Sequence, residues 1–219
     1  MRISLFPSPV VYRECLEHPK LLDWVKEYRK TADHDSASSS CGWHSPYDLH
    51  RNEDFTIFFL WFYSELATSI AELTPSQFEV VSMWASVNSP GEYNIGHQHL
   101  GVDLSAVMWL QSPTNCGNFI FENDSALTRY KLLECTTPED KAELNFYDST
   151  WFHPKPWSLL VFPADLRHRV DRNASDEDRI SIGANIKLLR LTNFVTGLKV
   201  NMTTGSKHRL GQVGSLTFS

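Results

Sequence analysis

Hydrophobic residues recur at helical spacing in two segments near the N-terminus. In HPKLLDWVKEYRKTA, residues 18–32, the hydrophobic residues are Leu21, Leu22, Trp24, Val25 and Tyr28. They return about once per helical turn, which predicts an amphipathic helix. NEDFTIFFLWFYSELATSIAEL predicts a second helix, capped at Asn52 or Asp54. Its apolar run is too short to span a membrane, so a buried helix is expected. Before both helices, SLFPSPVVYREC alternates as an extended strand does.

From Phe78 onward the pattern changes to short runs of β-branched and aromatic residues, separated by Gly, Pro, Asn and Asp. The runs are FEVVSMWASVN, LSAVMWLQS, NFIFEN, ELNFYD, SLLVFPA and DRISIGANIKLLRL. Many short strands with turn signals and no intervening helices predict an antiparallel sandwich or barrel. No composition break divides the chain, so one domain over 1–219 is expected, with a helical part at 1–77, a β-core at 78–195 and a C-terminal extension at 196–219.

Composition narrows the class of protein. The 219 residues are 42% hydrophobic and 12% aromatic, which is typical of a globular protein. A net charge of −6 and a pI near 5.8 argue against a nucleic-acid partner. The four cysteines include no CxxC pair, and the N-terminus lacks the apolar core and cleavage site of a signal peptide. Free thiols in a cytoplasmic protein with no membrane anchor are therefore expected.

Two histidines stand one residue apart in YNIGHQHLGVDLS, residues 93–105. Side chains of a strand alternate between its faces, so His97 and His99 point the same way if this segment is extended. A third histidine, His168 in LLVFPADLRHRVDRN, follows an apolar strand and the turn PAD, and it is expected at a strand edge. Non-haem iron sites need two or three imidazole or carboxylate ligands on one side of the metal. The three histidines together predict such a site.

Beyond His168, the strand RISIGAN places a cation and a hydroxyl on one face. Arg179 and Ser181 alternate with Ile180 and Ile182. A guanidinium beside a hydroxyl suits a carboxylate through bidentate, charge-assisted hydrogen bonds. Placed after a metal-binding histidine, the pair suits the distal carboxylate of a ligand whose other end chelates the metal. 2-Oxoglutarate has that shape.

These motifs carry a resemblance that covers nearly the whole chain. The matching stretches are SLFPSPVV, CGWHSPYDL, WASVNSPGEYNIGHQHLGVDLSAVMWLQSPTNCGNFIFEND, and PWSLLVFPADLRHRVDRN with DRISIGANI. The sequence resembles the 2-oxoglutarate/Fe(II) oxygenases found widely in marine bacteria and their phages. The resemblance implies a mainly β fold with N-terminal helices around a double-stranded β-helix, a jelly roll with the metal inside its mouth. It also implies Fe(II), 2-oxoglutarate and O2 as reagents, with succinate and CO2 as co-products.

One segment departs from these relatives. They usually have proline after the HxH pair and a Ser-Gly-x-Tyr-Tyr run on the next strand, whereas Leu100 and SAVMW stand at those positions here. A tyrosine that would contribute to 2-oxoglutarate binding is thus absent. The accessory contacts to 2-oxoglutarate are therefore expected to differ more than the contacts to iron.

The third ligand has alternatives. Most oxygenases of this fold have HxD where this chain has His99, so by position the triad is His97, His99 and His168. The first cupin motif is similar to GEYNIGHQHLGVD, and by that comparison Asp103 is a fourth ligand or replaces one histidine. The Asp103 carboxylate can also accept a hydrogen bond from a ligating imidazole, or serve the fold alone. The three histidines are preferred.

Three residues are weaker candidates. Asn88, at the end of the strand before the HxH pair, can bind the keto-acid end of 2-oxoglutarate or cap a turn. His44 in GWHSPYDL can line the substrate mouth or pack a loop, and Trp109 can face substrate or core. The helices and the loop at 35–50 are expected to border the mouth and to select the substrate.

Hydroxylation of an unactivated C–H bond in a small molecule or a protein side chain is the predicted reaction, and a homodimer is left open. The alternative is a cupin-like metal-dependent enzyme or small-molecule-binding protein that does not use 2-oxoglutarate. In that alternative Arg179 is dispensable for ligand binding. A β-domain with vestigial histidines is a third hypothesis, and the joint presence of three spaced elements argues against it.

Overall fold

Ten β-strands and four α-helices form the part of the chain that the structure, a computed structural model, describes: residues 8–33, 42–124 and 131–189. The helices are α1 Pro19–Thr31, α2 Thr56–Leu73, α3 Lys131–Cys135 and α4 Pro138–Leu144. The strands are β1 Val11–Glu14, β2 Trp43–His44, β3 Gln77–Asn88, β4 Asn94–His97, β5 Leu104–Gln111, β6 Phe119–Glu122, β7 Ser149–Phe152, β8 Ser158–Pro163, β9 His168–Val170 and β10 Arg179–Leu189.

The strands form two antiparallel sheets. The major sheet has six strands in the order β1-β8-β5-β10-β3-β2, and the minor sheet has four in the order β4-β9-β6-β7. From β3 to β10 the chain changes sheet at every connection except the one from β6 to β7. This alternation winds the chain as a jelly roll, in which residues far apart in sequence meet between the sheets.

Helices α1 and α2 cover the outer face of the major sheet. Their buried side chains, including Leu21 and Phe62, belong to the same hydrophobic core as Ile180 and Ile182 of β10. Because side chains alternate along a strand, Arg179 and the other odd-numbered residues of β10 face the space between the sheets. The two helices therefore lie behind the major sheet, not at the mouth where they were expected, because their apolar faces match the apolar face of β10.

Aromatic side chains from both sheets meet on the inner side. Trp109 of β5, Phe119 of β6 and Phe162 of β8 form a second hydrophobic cluster. The ring centroids of Trp109 and Phe119 lie 5.8 Å apart, and those of Phe119 and Phe162 lie 5.5 Å apart. This cluster holds the two sheets face to face and forms the apolar wall of the cavity described below.

Five of the six β-rich runs are strands, and the sixth prediction is wrong. ELNFYD begins in the last turn of α4 and continues as a turn into β7. Thr137 accepts a hydrogen bond from the Asp140 backbone N–H and Pro138 occupies the first turn, so a strong helix start precedes the run. Asn145, with φ of 49°, then ends the helix in the left-handed region.

The start of the second helix also differs from the prediction. Two short 3-10 turns, Leu49–Arg51 and Glu53–Phe55, precede α2, which begins at Thr56. The Asn52 side chain accepts a hydrogen bond from the Asp54 backbone N–H, so it caps the second 3-10 turn and not the α-helix.

No helix within the described ranges is long and apolar enough to cross a membrane. Among the described residues, Cys15, Cys116 and Cys135 are free thiols. The C-terminal extension predicted at 196–219 lies outside the described residues.

Candidate metal centre

Three imidazoles converge at one end of the minor sheet. His97 is the last residue of β4 and pairs directly with His168, the first residue of β9. His99 follows two residues later, where its backbone N–H donates to the Ala164 carbonyl at 2.9 Å. One nitrogen from each of the three rings lies within 4.8 Å of the others. A single metal ion can therefore be reached by all three rings.

Two of the rings are oriented by backbone carbonyls. The His97 Nδ1 lies 2.8 Å from the Ile95 carbonyl oxygen, and the His168 Nδ1 lies 2.7 Å from the Leu166 carbonyl oxygen. A carbonyl oxygen can only accept, so the proton of each neutral ring sits on Nδ1. The Nε2 lone pair of both rings is then available to a metal.

Burial keeps two of the imidazoles neutral. Removal from water lowers the pKa of His168 to about 3, and the nearby His97 adds to that effect. Removal from water likewise lowers the pKa of His99 to about 4, with a smaller contribution from His97. Phe119 is stacked on the His168 ring at 5.2 Å and forms part of the apolar wall that causes this desolvation. Metals bind the neutral imidazole, so both rings are in the binding form at pH 7.

The triad opens into a cavity between the two sheets. The cavity is also lined by inward-facing residues of β3, β5 and β10, among them Trp84, Ser86, Asn88, Ser105, Trp109, Arg179, Ser181 and Gly183. The register places Arg179 directly opposite Asn88, and Ser181 opposite Ser86. One cavity thus joins the three imidazoles to the cation and hydroxyl that the strand RISIGAN was expected to present.

Arg179 is a buried cation with an unsatisfied donor. The residue is 2% exposed, and its Nη1 donates to the carbonyls of Cys116 and Asp171. Its Nη2 has no hydrogen-bond partner, and no carboxylate among the described residues forms an ion pair with it. Burial lowers the pKa of Arg179, but a guanidinium stays charged in proteins. A buried charge in this state is strongly destabilising unless an anion neutralises it.

A protein-family model described as "Putative 2OG-Fe(II) oxygenase" matches residues 82–185, a little under half of the chain. The matched range contains all three histidines of the cluster, together with Arg179 and Ser181. Over this range the chain matches the 2-oxoglutarate/Fe(II) oxygenase family. No curated protein matches the sequence.

Solved structures share the fold of this oxygenase at low sequence identity. The α-ketoglutarate-dependent epimerase SnoN of nogalamycin biosynthesis aligns with a TM-score of 0.60 and 16% identity, over 82% of this chain and 76% of its own. HygX from Streptomyces hygroscopicus, with nickel and 2-oxoglutarate bound, gives 0.54 and 10%, over 82% and 83%. A Pseudomonas putida prolyl-4-hydroxylase gives 0.53 and 14%, over 81% and 92%. The predicted double-stranded β-helix is confirmed, whereas the expected marine or phage origin is not supported.

HygX has been solved with iron bound and with nickel and 2-oxoglutarate bound. The family model that matches this chain names Fe(II) and 2-oxoglutarate. The chemistry of this chain's donor set fits them. Three nitrogen donors within reach of one ion, two of them held neutral by burial, suit a divalent iron. The unpartnered Nη2 of Arg179 suits a carboxylate in the same cavity.

Asp103 lies apart from the converging donors. Its Oδ2 accepts a hydrogen bond from the Leu188 backbone N–H at 2.8 Å, and its own backbone N–H donates to the Ile186 carbonyl at 2.9 Å. These contacts tie the turn after the HxH pair to the far end of β10. They support the structural role among the alternatives for this carboxylate.

Of the three weaker candidates, two line the cavity and one does not. Asn88 is 3% exposed and lines the cavity, where its Nδ2 donates to the Asn94 Oδ1 at 2.9 Å. Trp109 lines the cavity and also packs in the aromatic cluster. His44 is buried in β2, where it pairs with Ser86, and it is not among the residues that line the cavity. This position favours the packing role of the two that the sequence left open for His44.

Two aromatic residues next to the imidazoles were missed by sequence analysis. The Trp84 ring is stacked on His99 at 5.8 Å, and Phe119 is stacked on His168. The parity of FEVVSMWASVN holds a signal for Trp84, which shares a face of β3 with Asn88. NFIFEN holds none for Phe119, because its inward face depends on which strands it pairs with.

Proposed function

We propose that this oxygenase hydroxylates an unactivated C–H bond of a small molecule or a protein side chain, releasing succinate and CO2. His97, His99 and His168 hold the iron. Arg179 and Ser181 bind the distal carboxylate of 2-oxoglutarate, and Asn88 contacts its keto-acid end. Bound Fe(II), supplied with 2-oxoglutarate and O2, provides the oxidising power that no side chain has.

One observation carries the proposal: the buried Arg179 guanidinium, whose Nη2 has no partner, and the three-nitrogen donor set share one cavity. A dicarboxylate with a keto acid at one end satisfies both, since one end chelates a metal and the other neutralises the cation. The arrangement does not suit a neutral ligand, which would leave Arg179 without a counter-charge.

The protein's own side chains orient the imidazole rings and exclude water from the cavity. Carbonyl hydrogen bonds hold the rings of His97 and His168 with Nε2 available. Phe119 and Phe162 cover His168 and keep water from that side of the cavity. Exclusion of water protects a reactive centre from side reactions and strengthens the electrostatic attraction between Arg179 and a carboxylate.

The cofactor site is tested with Fe(II) and 2-oxoglutarate added to the metal-free protein without oxygen. Chelation of the keto acid gives a weak metal-to-ligand charge-transfer band, whose titration yields the 2-oxoglutarate affinity. Arg179→Ala should weaken that affinity by about 10–150-fold, the range for losing a hydrogen bond to a charged group, and leave the Fe(II) affinity unchanged. Arg13→Ala, which removes an arginine paired with Glu65 beside α2, is the matched control and should leave both affinities unchanged.

Loss of the band in His97→Ala and His168→Ala would agree with the assigned ligands. Iron binding with no band at saturating 2-oxoglutarate would contradict the proposal, and so would an Arg179→Ala titration that matches wild type.

The reaction type is tested separately, on a panel of small molecules and peptides screened for substrate-dependent release of succinate. Hydroxylation predicts one succinate per product and one added oxygen atom in the product by mass spectrometry. A product that is epimerised or cyclised with no added oxygen would contradict the hydroxylase assignment and leave the family membership intact.

A further inference from the structure

The three imidazoles of the cluster are not oriented in the same way. The His97 and His168 rings each have a backbone carbonyl on Nδ1, at 2.8 and 2.7 Å. No hydrogen bond to the His99 ring is found within the described parts of the chain. The His99 ring is instead nearly parallel to the Trp84 indole, with centroids 5.8 Å apart and 22° between the planes.

The position of the Trp84 indole is fixed by the residues that pack against it. Trp84 of β3 lies directly opposite Gly183 of β10, and a Cβ at Gly183 would come within 2.5 Å of the indole Cε2 and Cζ2 atoms. Real Cβ atoms essentially never approach so closely, so the absence of a side chain at residue 183 makes this ring position possible. The Tyr47 ring packs against the same indole at 5.1 Å, and Trp84 is only 9% exposed. Glycine and tyrosine thus hold the indole in place.

We propose that Trp84, whose indole packs on Gly183, is the positioning residue for the His99 imidazole. The face of the indole orients the His99 ring, as a hydrogen bond to a backbone carbonyl orients the rings of His97 and His168. The proposal rests on the assignment of His99 as an iron ligand under the proposed function.

The physical basis is the rotational freedom of the ring. A hydrogen bond from Nδ1 restricts rotation about χ2 and selects a tautomer, and partners of this kind tune metal affinity. Without one, the His99 plane would rotate between broad wells, since this torsion is soft in histidine. A flat, immobile indole restricts the plane by stacking contact, so the His99 nitrogen is aimed before the metal arrives.

The test uses Co(II) alone as the probe, with affinity measured by chelator competition and ligand geometry by the visible d–d spectrum. Trp84→Leu should weaken Co(II) binding by about 10–100-fold, the range for loss of a partner that orients a ligand, and should alter the d–d bands. Trp84→Phe keeps a flat ring and should recover most of the affinity. Trp24→Leu removes an indole packed against Tyr28 and Phe55 on the outer side of the major sheet, and should leave Co(II) affinity and spectrum unchanged.

A double-mutant cycle separates positioning from general packing. In a His99→Ala background, Trp84→Leu should cause no further loss of Co(II) affinity, because the ring it orients is gone. Gly183→Ala, which leaves Trp84 in the chain but displaces its indole, should reproduce the Trp84→Leu spectrum. Urea unfolding of each metal-free variant checks that the variant is folded before it is titrated with Co(II).

The outcomes distinguish the positioning role of Trp84 from the assignment of His99 as a metal ligand. Unchanged Co(II) affinity and spectrum in Trp84→Leu and Gly183→Ala, with affinity lost in His99→Ala, would overturn the role of Trp84 alone. An equal loss from Trp84→Leu with and without His99 would also overturn it. Wild-type affinity in His99→Ala would remove His99 from the metal site and overturn the proposed ligand set as well.

Discussion

Burial of His99 and His168 gives the metal-free protein a defined response to acid. In the unfolded chain both imidazoles have the ordinary pKa of 6.5, whereas in the folded protein the pKa is about 4 for His99 and about 3 for His168. Below pH 6.5 the unfolded chain therefore binds protons that the folded protein does not. The free energy of unfolding is fully retained above that pH and falls as the pH approaches the folded values.

We expect the metal-free protein to lose stability from pH 6.5 towards pH 4, with a slope of up to about 1.4 kcal/mol per pH unit from each imidazole. Replacing His168 by Asn removes one of the two contributions, so the slope should decrease by up to that amount. Urea unfolding at pH 7, 6 and 5 measures both slopes. Equal slopes in the two proteins would show that the His168 pKa is not lowered by folding.

Among the structural elements, the loop between β9 and β10 connects the two halves of the site. Asn173 in this loop is fully buried, and its Nδ2 donates to the carbonyls of Asn88 at 2.9 Å and Glu177 at 2.7 Å. The Gly91 backbone N–H donates in turn to the Asn173 carbonyl at 2.7 Å. These bonds join the end of β3 to the start of β10, where Asn88 and Arg179 face each other.

Asn173→Ala should reduce the free energy of unfolding by on the order of 1–3 kcal/mol for each carbonyl that it leaves buried without a donor. Asn123→Ala is the matched control, because both residues stand in Asn-x-Ser and both donate from Nδ2 to a backbone carbonyl. The Asn123 bond to Tyr147 is exposed, so water can replace it and the loss should stay below about 1 kcal/mol. Urea unfolding compares the two variants, and equal losses would contradict the role of the loop.

On the scale of the whole molecule, the major sheet lies between the hydrophobic core that stabilises the fold and the cavity that holds the candidate site. Its outer face packs against α1 and α2 in the main core, whereas its inner face lines the cavity. A change in the helical layer should therefore alter the free energy of unfolding without altering the metal site. The helices act on the site only through the sheet they support.

Leu66→Ala in α2 removes a fully buried side chain and should cost about 2–5 kcal/mol of unfolding free energy. Metal at about 100 times its Kd should add about 2.7 kcal/mol to wild type and the same increment to Leu66→Ala. His168→Ala should lose the increment at that metal concentration. Urea unfolding with and without Co(II) gives all three values, and a smaller increment in Leu66→Ala would show coupling between the layers.

The sequence by itself determined the identity of the chemical groups and their local direction. HxH supplies two imidazoles two residues apart whatever the distant contacts are, and the alternation of RISIGAN depends on the period of two along a strand. The two N-terminal helices and five of the strands followed from local periodicity for the same reason. ELNFYD failed because the preceding Thr137 and Pro138 start a helix that overrides the β-forming residues after them.

Only the tertiary structure decided which groups meet. His168 pairs with His97, and Gly183 pairs with Trp84, across sequence separations that local pattern cannot bridge. The same holds for the unpartnered Nη2 of Arg179, since a donor lacks a partner only in relation to every residue packed around it. Strand register is set when the jelly roll closes and both apolar faces are buried together, so it is a property of the whole chain.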